Sequence, residues 1–160
     1  MEAMIRKLGF QEEWIRLIMM CVMTVSYSVL INEEPKGKII STRGLRQGDP
    51  IFPYLFLLCA EGLTAMLQRD EREGLISGIS VCRGASKISH LLFADDCIIF
   101  GEASSKEGNR VLKVLDDHEK ELGQKLNREK TSLFFSKNTD KEIQKEIKNS
   151  FGAQIIHKHE

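Results

Sequence analysis

Apolar positions change period along this chain, and each change marks an element. Trp14, Leu17, Ile18, Cys21 and Val22 recur at the spacing of one helical face, which predicts a helix with that face buried. Gly9 ends any earlier turn. From Ser26 the period falls to two, with Tyr27, Val29 and Ile31 alternating against Ser26 and Ser28. That predicts a strand with one buried face. The stretch Asn32-Glu33-Glu34-Pro35-Lys36-Gly37 reads as a turn, and residues 38–41 as the returning strand of a β-hairpin. Residues 43–50 (RGLRQGDP) read as a loop. Pro53 then suits the first turn of a helix, where its missing N–H costs nothing. Leu55, Phe56, Leu58, Cys59, Gly62, Leu63, Met66 and Leu67 give that helix a wide apolar stripe, and Gly74 caps its end.

Downstream, residues 79–81, 88–93 and 97–100 are strand-like, and Ala94-Asp95-Asp96 falls between the last two. The acidic pair therefore belongs at or beside the turn of a hairpin. Ser104 with Glu107 matches a capping box. The helix it opens carries Val111, Leu115, His118 and Leu122 and is closed by Gly123. A second box, Thr139 with Glu142, opens a helix carrying Ile143, Ile147 and Phe151 and closed by Gly152. Residues 132–135 between them read as a strand. Helices and antiparallel hairpins follow one another without a regular βαβ pattern, so the fold class is α+β, with hairpins packed against helices.

Composition narrows the class. At 160 residues, 42% hydrophobic and 29% charged, the chain is neither wholly disordered, nor collagenous, nor a membrane bundle. Its 23 basic and 23 acidic residues cancel, so it lacks the basic excess of most nucleic-acid-binding domains. Only a local cluster, Lys36, Lys38, Arg43 and Arg46, offers phosphate contacts, and it reads equally as a solvated loop. The longest apolar run, residues 17–25, is too short for a membrane span. Cysteines 21, 59, 82 and 97 form no CxxC pair and read as reduced, buried, intracellular thiols. Met19, Met20 and Met23 read as core filler. His157 and His159 lack partner ligands and read as a frayed tail.

The sharpest chemical feature is Asp95-Asp96, set between Leu91-Leu92-Phe93-Ala94 and Cys97-Ile98-Ile99-Phe100. Adjacent carboxylates repel, and a hard divalent cation relieves the repulsion. A pair of such ions about 4 Å apart stabilises attacking and leaving oxygens in phosphoryl transfer. Taken alone, the pair reads more readily as a polar turn.

It is not alone. RGLRQGDPIFPYLFLL, HLLFADDCIIF and ELGQKLNREKTSLFF occur in this order. Together they resemble the reverse transcriptase domain of non-LTR (LINE-type) retrotransposons, most like the plant elements. The first string resembles the family's RGLRQGDPLSPYLF block, the second its YADD or FADD metal-binding box, and the third its later block with Gly, Gln, Asn, Lys and Ser or Thr. The resemblance covers most of the chain. It implies the palm of a right-hand polymerase across residues 1–160, using Mg²⁺ (or Mn²⁺) with an RNA template, a DNA primer and a dNTP, and no membrane.

The resemblance also assigns residues. It implies Asp95 and its neighbour Asp96 as metal ligands and Phe93 as the aromatic near the incoming sugar and primer end. It implies Arg46, Gln47 and Gly48 as the loop against the nascent base pair, and Asn127 and Lys130 as residues near the nucleotide phosphates. A lysine there offsets developing charge or supplies a proton. Each also has a plainer reading: turn residues for Gln47 and Gly48, a solvated lysine for Lys130, core packing for Phe93.

Departures from the family pattern shape a further expectation. No acidic residue before Trp14 (Glu2, Glu12, Glu13) lies in the strand context of the family's earlier aspartate block, and no fingers, thumb or YLGLP-like hairpin is found. Phe52 stands where the family commonly has Ser. The expectation is a palm fragment inactive by itself, with weakly bound metal. The alternative is a non-catalytic nucleic-acid-binding or interaction remnant of a retroelement.

Overall fold

The computed structural model describes residues 1–40, 50–94, 96–122 and 127–156, the side chains of Phe52 and Leu122 excepted. The RGLRQGD loop, Asp95, Gly123 and the two C-terminal histidines lie outside the described residues. The chain divides into two compact units, residues 1–59 with 121–123, and residues 60–120 with 124–160.

The first unit holds helices α1 (Glu2–Lys7) and α2 (Glu12–Met23), the hairpin β1 (Ser26–Ile31) and β2 (Glu34–Ile40), and the first part of α3 (Phe52–Arg72). Its core is Ile5, Ile15, Ile18 and Leu55, with Met19, Val22 and Leu58 packed against it. The α2 face differs from the expected one. Ile15 and Ile18 are buried, whereas Trp14 is 60% and Leu17 55% exposed, and Cys21, Met20 and Met23 are exposed too. This helix is apolar over most of its circumference. Periodicity identifies such a helix, but the position of Ile5 and Leu55 chooses the side that is buried.

The β1–β2 hairpin also departs from expectation. Its turn is only Asn32-Glu33, at φ 52° and 66°, the two-residue turn whose twist matches paired strands. Glu34, Pro35 and Lys36 are therefore strand residues, opposite Ile31, Leu30 and Val29. No face of the pair is buried, and only Tyr27 is half-buried.

The second unit holds the rest of α3, the short pairs β3 (Ile79–Ser80)–β4 (Lys87–Ile88) and β5 (His90–Phe93)–β6 (Asp96–Ile99), and helix α4 (Ser105–Leu122) as far as Lys120. Strand β7 (Ser132–Phe134), helix α5 (Lys141–Phe151) and strand β8 (Gln154–Ile156) follow. Leu63 and Leu67 of α3, Ile76, Val111 and Val114 of α4, Ile147 and Phe151 of α5, and Ala153 form its core. The α3 stripe is as expected, with Leu55, Cys59, Leu63 and Leu67 buried at every fourth position. Burying a leucine completely, as at Leu67, is worth about 2 kcal/mol.

Gly74 ends α3 at φ 67°, with its N–H bonded to the Glu71 carbonyl and the Leu75 N–H to the Asp70 carbonyl. This is a Schellman closure, which needs a left-handed residue at that point. The Asp70 side chain is wholly buried and held in a two-bond fork by Arg110 of α4, with Arg69 alongside at 3.3 Å. Both expected capping boxes are altered. Ser104 accepts the Glu107 N–H, but the buried Glu107 carboxylate accepts from the Ser77 N–H and hydroxyl instead of reaching back. At α5 the cap is Asp140, which accepts from the Glu142 and Ile143 N–H groups, while the Thr139 hydroxyl pairs with Ser136.

The class is α+β. One βαβ unit is nevertheless present, because β7 pairs parallel with β8 across α5. Strand β8 is so short that hydrophobic periodicity gives no sign of it. Of the four cysteines only Cys59 is buried; Cys21, Cys82 and Cys97 are exposed, contrary to the expectation of buried thiols. Among the described residues no helix is long and apolar enough to cross a membrane.

Candidate active site

The acidic pair's neighbourhood is built by the β5–β6 hairpin of the second unit. Its register pairs His90 with Ile99, Leu91 with Ile98, Leu92 with Cys97 and Phe93 with Asp96. Side chains alternate across a strand pair, so His90, Leu92, Cys97 and Ile99 share one face, and Leu91, Phe93, Asp96 and Ile98 the other. The first face lies toward the core: Ile99 packs against the cluster that includes Leu63 and Leu67. Thus α3 supports the hairpin, as the sequence leads one to expect.

The outer face is open. Phe93 is 82% exposed, so core packing is not its role, and Asp96 beside it is exposed as well. Directly opposed residues on an antiparallel pair sit about 5 Å apart at Cβ. The tip therefore presents an aromatic ring and a carboxylate side by side to solvent. Ala94 next to them has φ 49°, a left-handed conformation that costs an L-residue about 1 kcal/mol. Cys97 is an exposed residue whose thiol is nonetheless pushed above its ordinary range by partial desolvation.

Asn127 and Lys130 shape the entry to β7. The Asn127 side-chain oxygen accepts the Lys130 N–H at 3.2 Å, and its carbonyl accepts the Thr131 N–H and hydroxyl. This is an Asx-type turn that leaves Lys130 exposed. Among the described residues, no hydrogen bond or ion pair joins Asn127 or Lys130 to Phe93 or Asp96. Arg46, Gln47, Gly48 and Asp95 fall outside the described residues.

A family model described as reverse transcriptase (RNA-dependent DNA polymerase) matches residues 3–151. The chain belongs to the reverse transcriptase family. The match spans all three sequence blocks, the second of which carries the β5–β6 hairpin. A relative from Arabidopsis thaliana, described as an uncharacterized mitochondrial protein, is 49% identical over 67 residues, which are 42% of this chain and 55% of that protein. The chain thus spans little more than half the length of that relative.

Reverse transcriptase domains act on nucleic acids and generally use divalent metal ions. The described residues do not include a group of three His, Cys, Asp or Glu side chains able to hold a metal. The exposed Asp96 carboxylate at the tip offers oxygen ligands of the kind a hard divalent cation takes.

The contacts behind this reverse transcriptase hairpin were not legible in the sequence. Thr64 and Glu71 of α3 both bond to the base of β5, through His90 and Ser89. The only sequence signal is the polar Ser89-His90 pair where the apolar run of β5 begins.

Proposed function

We propose that these 160 residues are palm sequence of an RNA-directed DNA polymerase from a LINE-type, plant-like non-LTR retrotransposon. The observation that carries this reading is the open hairpin tip, where Phe93 and Asp96 stand side by side. Asp95 and Asp96 are the proposed metal ligands, and Phe93 meets the incoming sugar and the primer end. Arg46, Gln47 and Gly48 line the nascent base pair. Asn127 holds the turn that delivers Lys130 to the nucleotide phosphates.

In the reaction, the primer 3′-hydroxyl oxygen bonds to the α-phosphorus of the nucleotide, its proton leaves, and the bond to pyrophosphate breaks. A lysine ammonium beside the departing pyrophosphate offsets the charge that develops there. A bound Mg²⁺ or Mn²⁺ supplies Lewis-acid stabilisation of the phosphoryl oxygens. The residues at hand contain the carboxylates of one metal-binding block only, so by themselves they do not catalyse extension.

Primer extension by the purified chain, on an RNA template with dNTPs and Mg²⁺, tests this directly. No product above background is expected. Extension that Asp95→Asn abolishes would overturn the claim of inactivity. Tight nucleic-acid binding that ignores both divalent metal and Asp95→Asn would instead favour a non-catalytic remnant.

A further inference from the structure

The base of the β5–β6 hairpin is tied to α3 by a chain of four polar side chains. Ser89 is 3% exposed, and its hydroxyl donates to a Glu71 carboxylate oxygen at 2.7 Å. The same hydroxyl lies 3.1 Å from Nδ1 of His90, and Nε2 of His90 lies 3.3 Å from the Thr64 hydroxyl. The Ser89 carbonyl accepts the Phe100 N–H at 2.8 Å, extending the strand pairing one step beyond His90 and Ile99.

Proton counting fixes the direction of this chain. An ionised carboxylate only accepts, and a serine hydroxyl has one proton. Since Ser89 gives that proton to Glu71, it can only accept from His90, so Nδ1 carries the imidazole proton. In the neutral ring, Nε2 is then an acceptor and takes the Thr64 proton. All three contacts run the same way, from Thr64 to His90 to Ser89 to Glu71. The tautomer of a histidine is set by the bond its ring nitrogens make, and here the Ser89–Glu71 pair sets it.

We infer that His90 is a positioning residue, locked as the Nδ1–H tautomer in a one-way relay that pins the base of the β5–β6 hairpin to α3. Thr64 and Glu71 stand seven positions apart on α3, two helical turns, on one side of the helix. Two anchors so spaced resist rotation of the strand pair as well as translation. The need is physical: beyond His90 and Ile99 the strand pair is exposed on most of its surface, so packing alone does little to hold the tip. A catalytic carboxylate misplaced by about 1 Å loses much of its effect. The inference takes the tip's importance from the proposed polymerase function, but the relay itself is tested without activity.

The test uses nitrogen-15 NMR of the full chain at about pH 8, where a free histidine is neutral. The His90 ring should show a protonated-type Nδ1 and an unprotonated-type Nε2. Ser89→Ala should remove that preference, with Nε2–H becoming populated. Thr64→Val should speed amide exchange of Leu91, Leu92 and Cys97 about tenfold, the effect of one lost hydrogen bond, without changing exchange in α5. Thr64→Ser should restore the slow rate. An Nε2–H tautomer in the unaltered chain would overturn the relay, as would unchanged hairpin exchange in Thr64→Val. Neither result bears on whether the chain extends primers. Conversely, failure of the polymerase reading with the tautomer intact would leave the relay standing.

Discussion

Replacing Arg110 with methionine isolates the ion pair between α3 and α4. Asp70 is wholly buried, Arg110 is 24% exposed, and both guanidinium–carboxylate bonds of the fork come from Arg110. Removing one partner of a buried pair costs about 3–5 kcal/mol, because the other charge is stranded. The lower end applies here: Arg69 remains 3.3 Å from the carboxylate, though at half exposure its contribution is screened by solvent. A loss of about 3 kcal/mol, with an m-value of roughly 1.5 kcal/mol/M, lowers the urea midpoint by about 2 M. Far-UV circular dichroism is the suitable signal, since the single tryptophan, Trp14, belongs to the other unit.

The same pair predicts a pH dependence. Hydrogen bonding by Arg110, aided by Arg69, holds the Asp70 carboxyl below its ordinary range against the opposing effect of burial. A carboxyl lowered in the folded state contributes stability that is complete above its unfolded value near about 3.9. That contribution disappears as pH falls through the native value. Arg110→Met should therefore flatten the acid-side loss of stability. The double change Asp70→Leu with Arg110→Met should recover most of the deficit, because apolar replacement of a whole buried pair is often neutral. A single-variant cost under about 1 kcal/mol, well below that range, or an undiminished acid slope, would refute the reading of this fork as a buried ion pair that ties α3 to α4.

Other expectations follow from the same geometry. Mn²⁺ should broaden the amides of Phe93, Ala94, Asp96 and Cys97 with a dissociation constant on the order of millimolar; micromolar binding, or broadening centred on His157 and His159, would mean the metal site lies elsewhere. Asp140→Ala should cost about 1 kcal/mol by chemical denaturation and Thr139→Ala clearly less, because Asp140 supplies the α5 cap. Under alkylation followed by mass spectrometry, Cys21 and Cys82 should react first and Cys59 last. Cys59 is buried with its thiol pushed up by desolvation, and Cys97, exposed but also pushed up, should fall between.

Local chemistry made some of this molecule legible from sequence. The spacing of Leu55, Cys59, Leu63 and Leu67 determines a helix and its buried stripe together, because those positions are apolar and Glu61, Gln68 and Arg72 mark the opposite face. Gly74 and Gly152 mark helix ends, since a left-handed closing residue is nearly free only for glycine. The three sequence blocks identify the family, and the apolar runs around Asp95-Asp96 place a hairpin there, because short-range pattern suffices for a tight antiparallel pair.

Tertiary structure decided whatever depended on a distant partner. On α2, apolar residues ring most of the helix, so only the placement of Ile5 and Leu55 leaves Trp14 and Leu17 exposed. Glu107 looks like half of a capping box, yet the Ser77 N–H competes for its carboxylate across thirty residues of chain. Phe93 sits in an apolar run that suggests core, and the pairing register turns it outward beside Asp96. The relay through Thr64, His90, Ser89 and Glu71 joins residues up to 26 positions apart. Its proton direction is a property of the assembled hydrogen bonds, and no one of the four residues carries it alone.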